Sequence, residues 1–110
     1  MTEAGPDYSR IAGYIGLAVR AGQAVTGESA CVTAIRARKA AVAILDSGAS
    51  ENAHKRFSDT CNHYQVPLVK LPPDLLEKAA GKPGRMAMVI APGGIASKVL
   101  ECMAKIPVDR

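Results

Sequence analysis

The sequence predicts an α/β protein: a three-layer αβα sandwich with a small four-stranded sheet, mostly parallel or mixed, and helices on both faces. Two observations indicate this fold. Helical and extended patterns alternate along the chain, and the extended run at residues 40–45 is apolar throughout. A strand covered on both faces has no polar side, so such a run is typical of a sheet between two helical layers. The 110 residues suffice for one such domain.

Asp7 or Ser9 can cap the first predicted helix, which ends at Gly22. Gly22 suits the left-handed residue that terminates many helices, because it has no β-carbon. One face of this helix is apolar at helical spacing, at Ile11, Ile15, Ala18 and Val19. Residues 23–25 then form a short extended segment, which we expect at a sheet edge.

A second helix is predicted to start at Thr26 or Gly27. Glu28 in its first turn complements the positive end of the helix dipole. Cations follow in its last turn, at Arg36, Arg38 and Lys39. The dipole alone accounts for cations at a helix end, and contact with a polyanion is the alternative explanation.

The third helix is the clearest amphipathic segment of the chain. It follows the strand at residues 40–45 and a loop at 46–49, and Ser50 with Glu51 caps it. Its apolar face contains Ala53, Phe57, Cys61 and Tyr64, at relative positions 0, 4, 8 and 11. This spacing predicts that one side packs on the sheet while the other faces solvent.

The second half of the chain repeats the strand and helix alternation. Residues 66–69 form a strand that starts or edges the sheet, since Pro67 lacks a donor for the ladder. Pro72 and Pro73 end it and open a short helix through Ala80, with Pro73 in the first turn. A loop at 81–85, a strand at 86–91 and a turn at 92–94 precede the last helix, which ends before Pro107. We expect one domain at residues 7–106, between flexible tails at 1–6 and 107–110.

Composition limits the classes of function. The net charge of +4 and the pI of about 9.2 are compatible with binding a polyanion but do not establish it. The three cysteines are far apart and form no C-x-x-C motif, so we expect free thiols rather than disulfides or a metal site. The N-terminus is neither basic nor apolar, and no apolar run is long enough for a membrane span. We therefore expect a cytoplasmic protein without cofactor or metal.

Catalytic motifs are not apparent. The turn at residues 91–94 lacks the glycine spacing and the Lys-Ser/Thr pair of a phosphate-binding loop. Cys61 and His63 are two positions apart on a helix and point to different sides, which disfavours a shared metal or a catalytic pair. We expect no enzymatic activity. Lys82 and Arg85, close together in a Gly-Pro loop, are the better candidates for phosphate contact.

The chain resembles a known protein family in several short segments. Six segments are similar in order and spacing to the ribosomal protein L-seven-Ae family. They are 15–22 (IGLAVRAG), 26–28 (TGE), 34–36 (AIR), 49–52 (ASEN), 61–67 (CNHYQVP) and 79–82 (AAGK). The similarity is greatest to its small bacterial YlxQ-type members. It covers roughly residues 9–105.

This resemblance implies an αβα sandwich that binds structured RNA, typically a kink-turn, as a ribosomal or ribosome-associated protein without enzymatic activity. Ribosomal RNA is the implied partner, ribosomal proteins are further candidates, and we expect a monomer. The family's RNA-binding face combines the start of the second helix with two neighbouring loops, here at residues 46–47 and at 70–72 with 81–85. The candidate RNA-binding residues are Gly27, Glu28, Ser29, Thr33, Arg36, Leu71, Lys82 and Arg85. Leu71 would offer apolar surface to an unstacked base.

The sequence departs from the family's pattern on the second helix. Ser29, Ala30 and Thr33 stand where kink-turn binders usually have Asn, Glu and Lys, and Glu77 replaces a glycine near the expected RNA face. A good base contact contributes about 1–3 kcal/mol, so two lost contacts weaken specific binding by orders of magnitude. A protein-interaction module on the same scaffold, with reduced kink-turn specificity, is therefore the alternative hypothesis.

Overall fold

The computed structural model describes residues 8–104. Within this range the elements are, in order, α1 (Ser9–Arg20), β1 (Ala24–Thr26), α2 (Glu28–Arg36), β2 (Val42–Asp46), α3 (Glu51–Tyr64), β3 (Leu68–Leu71), α4 (Leu75–Ala80), β4 (Ala87–Ile90) and α5 (Gly94–Ala104). The alternation of helices and strands confirms the predicted αβα architecture. The predicted tails, and the predicted roles of Asp7 and Pro107 at helix ends, lie outside the described residues.

The four strands form one mixed sheet in the order β1-β4-β2-β3. Strands β2 and β3 are parallel, whereas β4 runs antiparallel to both of its neighbours, β1 and β2. Of the two sheet types considered, the mixed one is therefore correct and the mostly parallel one is wrong. The expected edge positions are confirmed, since β1 and β3 are the outer strands. The second edge strand is shifted by two residues and begins after Pro67.

Two apolar clusters cover the two faces of the sheet. On one face, α1, α4 and α5 pack through Ile15, Leu76 and Val99 against residues that include Ile44. On the other face, α2 and α3 pack through Ile35 and Phe57 against residues that include Leu45. All five residues of β2 are buried, which explains the continuous apolar run. Burial of each large side chain in these clusters stabilises the fold by about 1.5–3 kcal/mol.

Helix ends follow the predicted chemistry in two places. Gly22, with a φ of 71°, terminates α1, and the N–H of Gln23 donates to the carbonyl of Ala18 at 2.9 Å. At the start of α3, the Oγ of Ser50 accepts a hydrogen bond from the N–H of Ala53 at 3.1 Å. Both the left-handed stop and the serine cap are thus confirmed.

Three predicted helix boundaries are wrong. Ser9 is already helical and Tyr8 occupies the cap position of α1. Helix α4 begins at Leu75, because Asp74 in the left-handed region with a φ of 71° separates it from Pro73. Helix α2 ends at Arg36, because Arg38, with a φ of 60°, cannot continue a right-handed helix. Arg38 and Lys39 therefore lie beyond its last turn.

Candidate nucleic-acid interface

The register of the sheet brings four loops to one of its ends. Thr26 pairs with Met88, Leu45 with Ala87, and Asp46 with Leu71. The loops that leave β1, β2 and β3 and the loop that enters β4 are consequently neighbours. These are the segments in which the sequence predicted a binding face. We call this the four-loop end of the sheet.

Gly27 opens α2 at the four-loop end. Its φ of 98° and ψ of 138° are tolerated by glycine and strained for other residues. Its N–H donates to the carbonyl of Ala87 at 3.2 Å. The Nη1 atom of Arg85 lies 3.8 Å from the position that a β-carbon on residue 27 would occupy. The start of α2 and the loop before β4 are therefore in close proximity.

A cleft of about 350 Å³ lies at this junction. It is lined by residues of α2, of the start of α3 and of the loop before β4, including Gly27, Glu28, Ser50, Gly84, Arg85 and Met86. Met86 is 41% exposed. The cleft thus combines a helix N-terminus, a guanidinium group and an exposed apolar side chain, which suits a ligand with both phosphate and base.

Asp46 ties two of the four loops together. The residue is only 3% exposed, and its two carboxylate oxygens accept hydrogen bonds from the N–H groups of Gly48 (2.7 Å) and Asp74 (3.0 Å). The N–H of Ser47 also donates to the carbonyl of Leu71 at 2.9 Å. The loop after β2 and the loop after β3 are therefore held in a fixed relation to each other.

Glu77 organises the loop that carries the candidate cations. Its carboxylate accepts a hydrogen bond from the N–H of Gly84 at 2.6 Å, and its carbonyl accepts one from the N–H of Lys82 at 3.3 Å. Lys82 and Arg85 are both exposed. Glu77, which replaces a glycine near the expected RNA face, therefore has a structural role in this loop.

Glu28 faces a cation that the sequence analysis missed. Its Oε1 lies 3.1 Å from Nη1 of Arg56 on α3, and the two side chains are 44% and 45% exposed respectively. The partners are 28 positions apart in the sequence, so no local pattern indicates the pair. Ser29 and Thr33 are also exposed on α2.

Three of the eight candidate residues line the cleft: Gly27, Glu28 and Arg85. The other five do not line it: Ser29, Thr33, Arg36, Leu71 and Lys82. The side chain of Leu71 is fully buried, because this position of β3 faces the core with Leu76 and Ile15. It cannot offer an apolar surface to a base, and Met86 is the exposed apolar residue there instead. Arg36 lies at the opposite end of α2, about 12 Å from its start at a rise of about 1.5 Å per residue. It lines a separate cleft with His63 and Tyr64.

The cysteines lie apart from this surface. Cys31 and Cys61 are buried between α2, α3 and the sheet, and Cys102 is partly buried. Burial raises the pKa of the Cys31 thiol to about 12 and also raises the pKa of Cys61. Both thiols stay protonated near neutral pH and are poor nucleophiles. Among residues 8–104, His, Cys, Asp and Glu side chains form no group of three or more that could hold a metal ion.

The helices of the described range are too short or too polar to cross a membrane. No family model matches the sequence. Two relatives, both named RNA-binding protein YlxQ, align with most of the chain. The protein of Bacillus subtilis (strain 168) is 33% identical over 81% of this chain and 90% of its own length. The protein of Enterococcus faecium is 38% identical over 79% of this chain and 84% of its own length.

Solved structures show the same fold. A Bacillus halodurans C protein of unknown function superimposes with a TM-score of 0.81 at 29% identity, covering 86% of this chain and 96% of that protein. A Giardia lamblia 15.5 kD RNA-binding protein superimposes with a TM-score of 0.78 at 15% identity, covering 96% of this chain and 92% of that protein. The second likeness concerns the fold alone. With two relatives above 30% identity along most of their length, the chain belongs to the YlxQ family.

Proposed function

We propose that the protein binds structured RNA through the four-loop end of the sheet and acts by binding rather than by catalysis. The observation that carries the proposal is the proximity of Gly27 and Arg85, 3.8 Å between Nη1 and the virtual β-carbon. Free N–H groups at a helix start and a guanidinium group are both donors for phosphate oxygens. The names of the two relatives support RNA as the ligand.

Each candidate residue at the four-loop end has a specific role in this proposal. The backbone at Gly27, Glu28 and Ser29 binds phosphate, and Lys82 and Arg85 neutralise neighbouring phosphates. Met86 takes the place proposed for Leu71 and packs against an unstacked base. Arg36 contributes only to an RNA that extends along α2.

We propose a kink-turn, in ribosomal RNA, as the specific ligand. The support is the resemblance to the L-seven-Ae family, whose RNA-binding face uses the start of the second helix and neighbouring loops. In this chain those segments converge at the four-loop end, where Asp46 fixes the loops after β2 and β3 through bonds of 2.7 and 3.0 Å. A bent RNA places phosphates of two strands close together, which suits a rigid surface with several separate donors.

A second candidate function is a protein-interaction module. The observation in its favour is the exposed and uncharged surface formed by Ser29, Ala30 and Thr33 on α2, where the family's pattern places Asn, Glu and Lys. Such a surface lacks the side chains that read sheared base pairs. It leaves Arg85, Lys82 and the helix start as nonspecific contacts.

A titration separates the two functions. The protein is titrated against a kink-turn RNA and a kink-free duplex of equal length at several salt concentrations. Preference for the kink-turn at every concentration is the expected result. Equal, strongly salt-dependent binding to both RNAs would contradict kink-turn recognition and leave only electrostatic binding. No binding at low salt would contradict the RNA proposal and favour the interaction module.

A further inference from the structure

We infer that Arg56 is a further phosphate-binding residue and that Glu28 is a positioning residue that holds it at the rim of the cleft. This inference rests on the proposed RNA-binding function. Glu28 lines the cleft together with Arg85, and its Oε1 lies 3.1 Å from Nη1 of Arg56. The guanidinium of Arg56 is therefore beside the start of α2, on the side formed by α3.

The pair resolves a conflict of charge. An isolated carboxylate in the first turn of α2 would repel a phosphate that approaches the helix start. The guanidinium of Arg56 offsets this charge, and it keeps further N–H donors beyond the one that contacts Glu28, because a guanidinium carries five. With 45% of the Arg56 side chain exposed, these donors are accessible to a phosphate at the rim of the cleft.

The pair also supplies a cation that α2 itself lacks. Thr33 is exposed but uncharged, so the outer face of α2 near the cleft carries no cation of its own before Arg36. Arg56 reaches the same region from the neighbouring helix. Because the contact with Glu28 joins two helices, it fixes the guanidinium relative to the cleft, which lowers the conformational entropy lost on binding.

A neighbouring ion pair provides a matched control. Lys55, the residue before Arg56, pairs with Asp59 at 3.3 Å within α3, and both side chains are more exposed, at 79% and 68%. Both are surface pairs, and such pairs contribute little to stability. Removing either cation leaves the fold intact and changes the net charge equally. Only Arg56 is held by a residue of the cleft.

The first test compares R56A with K55A in RNA binding across salt concentrations, using the kink-turn RNA and the duplex described above. R56A is expected to weaken binding about fivefold near 0.1 M salt and to make the slope of log K against log salt less negative by about one. K55A is expected to leave both unchanged. Equal effects of the two variants would overturn the role of Arg56, whereas absence of binding by the unmodified protein would overturn the proposed function with it.

A double-mutant cycle tests the role of Glu28. On charge alone, E28A tightens RNA binding, so the informative quantity is the effect of R56A in each Glu28 background. In the E28A background, R56A is expected to weaken RNA binding by less than twofold, because Arg56 is no longer held at the cleft. E28Q keeps an acceptor oxygen and is expected to restore most of the fivefold effect. An R56A effect of equal size in all three backgrounds would overturn the positioning role.

Discussion

Nη1 of Arg85 lies 3.8 Å from the place of a β-carbon on Gly27, so the loop before β4 covers the start of α2. The distance is an ordinary van der Waals separation. A methyl group on residue 27 would touch the guanidinium without displacing it. Any effect of such a substitution therefore comes from the backbone of residue 27, and this separates backbone strain from loss of the Arg85 contact.

Gly27→Ala is expected to lower the free energy of unfolding by about 1–3 kcal/mol, because a φ of 98° is strained for any residue with a β-carbon. Urea denaturation measures the change. Gly13→Ala is the control: Gly13 lies inside α1 with open space around its virtual β-carbon, and alanine there is expected to stabilise by about 0.5–1 kcal/mol. Equal stabilisation by both substitutions would contradict the positive φ at Gly27, which should strain alanine there.

Asp46→Asn is expected to destabilise the protein by about 1–3 kcal/mol. Each carboxylate oxygen of this buried residue accepts a backbone N–H, and the NH₂ group of asparagine would face one of those donors. Asp59→Asn, at a side chain that is 68% exposed, is expected to change stability by less than about 0.5 kcal/mol. Thermal or urea unfolding of both variants makes the comparison, and equal stabilities would show that Asp46 does not hold the loops.

Stability is expected to fall at alkaline pH because of Cys31. Burial raises the pKa of this thiol from 9.0 to about 12, so between these values the unfolded chain loses a proton that the native protein keeps. The contribution is fully present below pH 9 and is lost as the pH rises towards 12. Urea denaturation measures the free energy of unfolding at pH 7 and pH 10. Its decrease between these pH values should be about 1 kcal/mol smaller in Cys31→Ala than in the unmodified protein. Parallel pH profiles would contradict the burial of the thiol.

Several features of the fold could be predicted because their causes are local. The spacing of Phe57 and Cys61 on α3, the stop at Gly22 and the cap at Ser50 depend on residues within a few positions. The apolar run of β2 likewise indicates burial on both faces. Strand pairing is different, because the antiparallel insertion of β4 between β1 and β2 depends on contacts between distant segments.

The candidate site was predictable only in part for the same reason. Gly27, Lys82 and Arg85 are marked by glycines and loop composition, whereas the pairing of Glu28 with Arg56 requires two helices to meet. Leu71 ends an edge strand, and the sequence alone does not say whether its side chain points to the core or to solvent. Arg36 is on α2, as predicted, but the helix is long enough to separate it from Gly27 by about 12 Å.

Ala30→Glu combined with Thr33→Lys is expected to increase the preference for a kink-turn RNA over a duplex by at least about tenfold. Each restored base contact contributes about 1–3 kcal/mol, and both positions are exposed, so the fold should tolerate the change. The pair leaves the net charge unaltered. Ser58→Glu with Asn62→Lys, on the exposed face of α3, is a charge-neutral control. An equal gain in affinity for both RNAs in the α2 variant would contradict an orientation of Ala30 and Thr33 towards the bases.

The most direct test of the four-loop end as the RNA-binding surface is the salt dependence of affinity after removal of its cations. Lys82→Ala with Arg85→Ala is compared with Lys39→Ala and Lys98→Ala, which remove equal charge from the other end of the sheet. For the first variant, the slope of log K against log salt is expected to become less negative by about 1.5–2, while the second keeps the slope of the unmodified protein. An unchanged slope for the first variant, or equal changes in both, would contradict the assignment.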